Sequence, residues 1–222
     1  MNLFDILGPI MVGPSSSHTA GAVRIGSMAR ALLGEQPRQA ELLLHGSFAS
    51  TGAGHGTYQA IIAGLLGLAP DNPDVPRSYE LAEQAGMSFS FENVTLRDVH
   101  PNSVLIRMET AEGRKMEMGA SSLGGGRIEV FEVDGLRTAF SGELPTLLVR
   151  NTDQPGCVSR VTGALAHGQI NVASLQLSRG GRGSNAVMVI ECDEEIPWET
   201  VEEIRSLPGI LQVTRYSLEV EE

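Results

Sequence analysis

Only two cysteines, Cys157 and Cys192, occur in the whole chain. Two cannot build a disulfide scaffold, and they fall short of the four thiolates that hold an ordinary iron–sulfur cluster. Their scarcity points to a reducing, cytoplasmic compartment. Lysine is rarer still. Lys115 is the single one, and it closes Glu112-Gly113-Arg114-Lys115, which reads as an exposed hairpin turn. A pyridoxal phosphate enzyme needs a lysine for its Schiff base, so that class is disfavoured. Long apolar runs are missing too, since the longest, Ala60 to Ala69, is too short to cross a bilayer. Met1-Asn2-Leu3-Phe4-Asp5 lacks the basic start of a secretory leader. Positive charge is in deficit, with 16 Lys and Arg against 27 Asp and Glu and a net charge of −11. No basic tract is present, so neither nucleic acid nor membrane is an expected partner.

What the chain does carry is concentrated near its start. Gly13-Pro14-Ser15-Ser16-Ser17-His18-Thr19-Ala20-Gly21 packs hydroxyls, a histidine and glycines just before a helical pattern. A helix N-terminus offers free backbone N–H groups and a positive dipole end, which attract carboxylates and phosphates. Ser15, Ser16, Ser17 and Thr19 add neutral donors, and His18 titrates near neutral pH. One such hydroxyl would simply cap the helix. Four together form a candidate site for a small anion, with a group that can move a proton.

The order of elements predicts an α+β protein with a boundary near Gly135 to Pro145. Residues 1–135 read as one domain, 136–145 as a linker and 146–222 as a second domain. In the first, helical spacing over Thr19–Leu33 ends at Gly34, and Ala40–Leu44 is a buried strand. The stretch from Gly46 to Thr57 is rich in glycine and hydroxyls and reads as a loop, and Thr57–Leu66 as a helix. A short helix, Ser78–Gln84, precedes strands at Ser88–Val94, Ser103–Glu109, Lys115–Ala120 and Arg127–Val133. Gly124-Gly125-Gly126 falls before the last of these. It is either a hairpin loop or a close approach to a ligand, and it lacks both P-loop lysine and dinucleotide spacing. The second domain reads as β-α-β-β-α-β, with a bulge near Ala173-Ser174, a central strand at Asn185–Cys192 and a last strand from Ile210 to Val220. Cys157 and Cys192 fall on an inner helix face and that central strand, as core packing.

Four separated motifs carry a resemblance. Gly13-Pro14-Ser15-Ser16-Ser17-His18-Thr19, Gly54-His55-Gly56-Thr57, His100-Pro101-Asn102 and Ser122-Leu123-Gly124-Gly125-Gly126 resemble, in order, the β chain of bacterial iron–sulfur-dependent L-serine dehydratases. Residues 146–222, through Asp153-Gln154-Pro155-Gly156 and Ile170-Asn171-Val172-Ala173, resemble a ferredoxin-like ACT domain. The resemblance implies a cytoplasmic lyase of amino-acid catabolism and gluconeogenesis, which deaminates L-serine to pyruvate and ammonia by β-elimination. It implies a [4Fe–4S] cluster held by a separate α subunit, a monovalent cation requirement and homodimerisation through the ACT domain.

On that footing His55 takes the α-proton and His18 orients substrate, or the reverse. Ser16, Ser17 and Thr19 bind the carboxylate and Asn102 the amino group. Asn151, Asp153, Gly156 and Asn171 hold an effector, L-serine, between two ACT-like domains, or only shape a turn. No metal ligand is expected on this chain. The alternative is a non-catalytic amino-acid-sensing subunit resembling the regulatory tail of phosphoglycerate dehydrogenase.

Overall fold

The computed structural model describes residues 11–13 and 15–217. Pro14 of the hydroxyl-rich segment and residues 218–220, expected in the last strand, lie outside the described residues. The chain divides into two units between Asp134 and Gly135.

The first unit opens with a turn of π-helix, Ser16–Ala20, in which the Gly21 N–H reaches back to the Ser16 carbonyl. It continues into helix α1, Gly21–Leu33, which Gly34 ends in a left-handed conformation. Strand β1 (Gln39–His45) leads to α2 (Gly46–Thr51), α3 (Thr57–Leu66) and α4 (Ser78–Gln84). Strands β2 (Ser88–Val94), β3 (Asn102–Glu109), β4 (Lys115–Gly124) and β5 (Arg127–Val133) follow. Their order is β2-β1-β3-β4-β5, with β1 and β2 parallel and the other pairs antiparallel. Alternation puts every second residue of β1 on one face. Leu42 thus pairs with Ile106, and Ile106 with Met118, in one fully buried row. Leu44, Val104 and Ala120 form the next. Ile25, Met28, Leu32, Ile61 and Leu65 of α1 and α3 belong to the same core.

Helices α1 and α3 touch through glycine. A Cβ on Gly26 would lie 2.2 Å from the Ile61 carbonyl oxygen, and one on Gly64 would lie 2.0 Å from that of Val23. Further along, the Arg30 guanidinium donates to the Leu66 carbonyl. His18 and His55 meet just before the two helices start, and Arg30 meets Leu66 where they end, so the helices cross at these glycines, run in the same direction and begin at the same end of the unit.

The second unit starts with β6 (Leu136–Phe140), then runs β7 (Thr146–Thr152), α5 (Cys157–His167), β8 (Val172–Arg179), β9 (Asn185–Cys192), α6 (Trp198–Arg205) and β10 (Ile210–Tyr216). From β7 onward this is the expected β-α-β-β-α-β order. The sheet order is β10-β7-β9-β8, antiparallel throughout, which is the ferredoxin-like arrangement. β9 is interior and buried on both faces from Ala186 to Ile190. The β8 register shifts between Val172 and Ser174, at the expected bulge. Cys157 and Cys192 lie in the core with Val149, Val161, Leu165 and Ile190. Burial pushes the Cys192 thiol up to about 11, with Glu194 and Asp193 adding to it.

Two expectations are corrected. Leu136–Phe140, read as linker, is strand β6, held to β8 where the Gln176 amide bonds both the N–H and the carbonyl of Ala139. Gly46–Thr51, read as loop, is helix α2. Phe48 anchors that helix in the core, and the Thr51 hydroxyl donates to the Ser47 carbonyl one turn back. Tertiary burial overrides the low helix preference of glycine, serine and threonine here.

Candidate active site

Ser15 precedes the π turn, and its Oγ accepts from the His18 N–H at 3.2 Å. That turn of five residues, wider than an α-helical one, folds the His18 ring inward, leaving it 8% exposed. Hydroxyls meet both ring nitrogens. Nδ1 lies 3.3 Å from Ser17 Oγ and 3.5 Å from Ser15 Oγ. Nε2 lies 3.1 Å from Ser47 Oγ and 3.2 Å from Thr51 Oγ1. Burial chiefly, and the charge of His55 second, hold the His18 pKa below its ordinary value, against a raising contribution from a hydrogen bond at Ser47. An imidazole so placed is neutral at pH 7 and keeps one lone pair for use as a base.

His55 stands edge-on to His18, with ring centroids 5.1 Å apart, and is exposed. Gly54, His55 and Gly56 share the lining of a cavity of about 260 Å³ with Thr19, Gln59 and Val75. The left-handed φ of Gly56, 72°, brings the chain from His55 into α3. Helices α1 and α3 both begin here, so two positive dipole ends face one cavity. Thr19 and Thr57, at the starts of the two helices, are almost completely buried. Their hydroxyls have no partner among the described residues. Unpaired buried hydroxyls are uncommon and mark places where a ligand or water supplies the missing bond.

The other two motifs join the same neighbourhood. Asn102 bridges Gly46, and the Ser47 N–H donates to the Pro101 carbonyl, so the His100-Pro101-Asn102 segment abuts the start of α2. The Asn102 N–H itself donates to His100 Nδ1. Ser16 Oγ accepts from the Gly125 N–H at 3.2 Å, and Arg24 donates to the Gly126 carbonyl at 3.0 Å. The Ser122 hydroxyl, fully buried without a partner among the described residues, lies where a Cβ on Gly21 would stand, 2.1 Å away. Motifs spread over more than a hundred residues thus meet around His18.

Comparison with known proteins gives this convergence a context. The model described as serine dehydratase beta chain matches residues 2–87, and that described as ACT domain matches residues 145–209. "Probable L-serine dehydratase, beta chain" of Bacillus subtilis is 40% identical over 214 residues, 96% of this chain and 97% of its own. The chain belongs to the serine dehydratase beta chain family. A second member, the L-serine dehydratase beta chain of Peptoniphilus asaccharolyticus, is 38% identical over 96% of this chain and 94% of its own. D-3-phosphoglycerate dehydrogenase of Methanocaldococcus jannaschii is 29% identical over 57% of this chain and 24% of its own length. That shorter, weaker likeness does not favour the sensing-subunit alternative. Within this beta chain family member, the second unit is the ACT domain, and among the described residues no helix is long and apolar enough to cross a membrane.

Sequence reasoning selected His18, His55, Ser16, Ser17, Thr19 and Asn102, and the fold brings together the three segments that carry them. It missed Ser47, Thr51, Thr57, Gln59 and Ser122. The pair Ser47 and Thr51 was legible only as an i, i+4 spacing inside a stretch read as loop.

The ACT-domain candidates divide. Asn151 is buried, its Nδ2 donating to the Thr152 carbonyl while Oδ1 lacks a partner among the described residues. Asp153 accepts from the Gly183 N–H at 3.1 Å and from Arg179 at 2.7 Å, and these hold its carboxyl below the usual range. Gly156, with φ of 88°, opens α5. Asn171 is elsewhere, donating to Glu194 and Asp193. Asn151 pairs with Ala186 at the start of β9, and Val172 with Cys192 at its end. Six residues of strand, about 20 Å, separate the two positions.

Proposed function

We propose that this chain is the β subunit of an L-serine ammonia-lyase, converting L-serine to pyruvate and ammonia in the cytoplasm. One observation carries the reading: His18 and His55 stand together where two parallel helices open their N-termini onto a single cavity. β-Elimination from serine needs a carboxylate site, a base for the α-proton and help for a poor leaving group. The residues around the cavity suit the first two. The paired N-termini, Ser16, Ser17 and the unsatisfied hydroxyls of Thr19 and Thr57 suit a carboxylate. Asn102 is assigned the ammonium. His55, exposed on the cavity wall, takes the α-proton, and His18, fixed by four hydroxyls, orients and polarises. The product enamine, 2-aminoacrylate, then hydrolyses to pyruvate and ammonia.

The described residues do not suit the third requirement. Both cysteines are buried in the ACT domain, and no group of three His, Cys, Asp or Glu among the described residues could hold a metal ion. These residues do not fit a [4Fe–4S] cluster, so the reading assigns the cluster, and departure of the hydroxyl, to a separate α subunit. A monovalent cation belongs to the same expectation, with no residue here assigned to it. Because Asn171 stands far from Asn151 and Asp153, an effector site using all of them requires two copies, which supports homodimerisation through the ACT domain. L-serine is the effector proposed.

The test is anaerobic co-expression with a cysteine-bearing companion chain and a pyruvate assay on L-serine. Activity of the pair and none of either chain alone is expected. Deamination by this chain alone, or by a pair lacking both His18 and His55, refutes the reading.

A further inference from the structure

We infer that His18 is held as the tautomer protonated on Nε2, with its lone pair on Nδ1 facing Ser17, and that Thr51 and Ser47 are the positioning residues that fix it. The inference follows from counting hydroxyl protons. The single proton of Thr51 is assigned to its shortest contact, the Ser47 carbonyl at 2.9 Å, ahead of His18 Nε2 and Ser47 Oγ at 3.2 Å each. Toward His18 Nε2, 3.2 Å away, Thr51 Oγ1 therefore presents only lone pairs. If Nε2 were also bare, two lone pairs would face each other at hydrogen-bond distance. With the proton on Nε2, every contact is satisfied. Nε2–H donates to Thr51 and Ser47, and the Ser47 hydroxyl donates to Thr51 Oγ1 at 3.2 Å.

The other side of the ring then follows. Nδ1 accepts, and Ser17 Oγ at 3.3 Å is the nearer donor. Ser15 Oγ, at 3.5 Å from Nδ1, already accepts from the His18 backbone N–H. The basic nitrogen of His18 thus points back into its own hydroxyl-rich turn. A proton that reaches Nδ1 by way of its nearest hydroxyl does so as a relay, Ser17 giving one proton to Nδ1 and taking one from the ligand side. The relay rests on the reading of His18 as a site residue; the tautomer does not.

The experiment uses the full chain labelled with ¹⁵N-histidine, above neutral pH. Imidazole nitrogen shifts separate protonated from bare ring nitrogens, and the His18 signals are those lost in His18→Gln. Wild type should show Nε2 protonated, with Thr51→Ser unchanged. Thr51→Val should shift His18 toward the Nδ1-protonated form, because Ser47 becomes free to donate to Nε2. Ser47→Ala removes that donor and should leave Nε2 protonated. Wild-type His18 protonated on Nδ1 overturns the inference, as does a Ser47→Ala spectrum moved away from the Nε2 form. In the reconstituted pair, Thr51→Val should lower kcat about tenfold with KM within about twofold, and Thr51→Ser should restore it. An unchanged kcat overturns the positioning role. Absence of serine deamination in the wild-type pair refutes the functional reading alone, since the tautomer is read on the isolated chain.

Discussion

Gly64→Ala adds one methyl group at the crossing of α1 and α3. Its Cβ would lie 2.0 Å from the Val23 carbonyl oxygen, 2.7 Å from the Ser27 nitrogen and 2.9 Å from the Gly26 Cα. All three are backbone atoms, so no side chain can swing aside. An ordinary carbon–oxygen approach is about 3.3 Å, so the helices must part by about 1 Å. Overpacking of this kind costs up to about 3 kcal/mol, and alanine returns about 1 kcal/mol through its better helix preference. The net is a loss of about 2 kcal/mol, or a fall in Tm of about 8 °C for a unit of this size. Gly163→Ala is the matched control. Gly163 lies within α5 with nothing near a built Cβ, so the same change there should stabilise by about 0.5–1 kcal/mol. Calorimetry of both variants checks the pair. A Gly64→Ala chain as stable as wild type would mean that α1 and α3 do not approach this closely.

Thr19→Val should raise stability by about 1 kcal/mol, because it removes a buried hydroxyl with no partner among the described residues. It should also raise KM for serine, and loss of stability with unchanged KM would remove Thr19 from the carboxylate site. Acid sensitivity follows from His18, whose folded pKa lies below the ordinary histidine value of about 6.5. At pH 7.5 both states are neutral and the group contributes nothing. As pH falls through 6.5 the unfolded chain binds the proton first, so stability declines until the folded pKa is passed. Urea titrations of His18→Gln should show a shallower loss between pH 7 and 5, by at most one proton. Gln176→Leu removes both bonds to Ala139 and should speed amide exchange at Ala139 about tenfold, equivalent to about 1.4 kcal/mol. Unchanged protection would show that β6 is held by other means.

Much of the fold was legible because glycine and apolar period act locally. Thr57–Leu66, Ser78–Gln84, Ser88–Val94 and Arg127–Val133 stand as the sequence reading has them. The ferredoxin-like order followed from turn residues at each reversal. Helix α2 was not legible, since its stability comes from Phe48 finding the core and from Pro101, 54 residues on, accepting from Ser47. Strand β6 was hidden for a similar reason. Asp134-Gly135, with both φ angles positive, makes a tight turn, and a turn before a segment of only five residues is indistinguishable locally from a linker. In the site, residue types were legible but not their grouping. Ser47 and Thr51 gain meaning only once α2 exists, and the separation of Asn171 from Asn151 only once β9 lies between them.

The glycine crossing has a bearing on where this chemistry can be moved. Gly64 stands seven residues beyond Thr57, about 10 Å along the axis at 1.5 Å per residue. It acts as the pivot that sets how the mouths of two helices meet. Copying only the histidines and hydroxyls onto a foreign scaffold would transfer the teeth without the hinge. A designer borrowing this centre must graft Gly26 and Gly64 with it, although neither is assigned to the bound molecule.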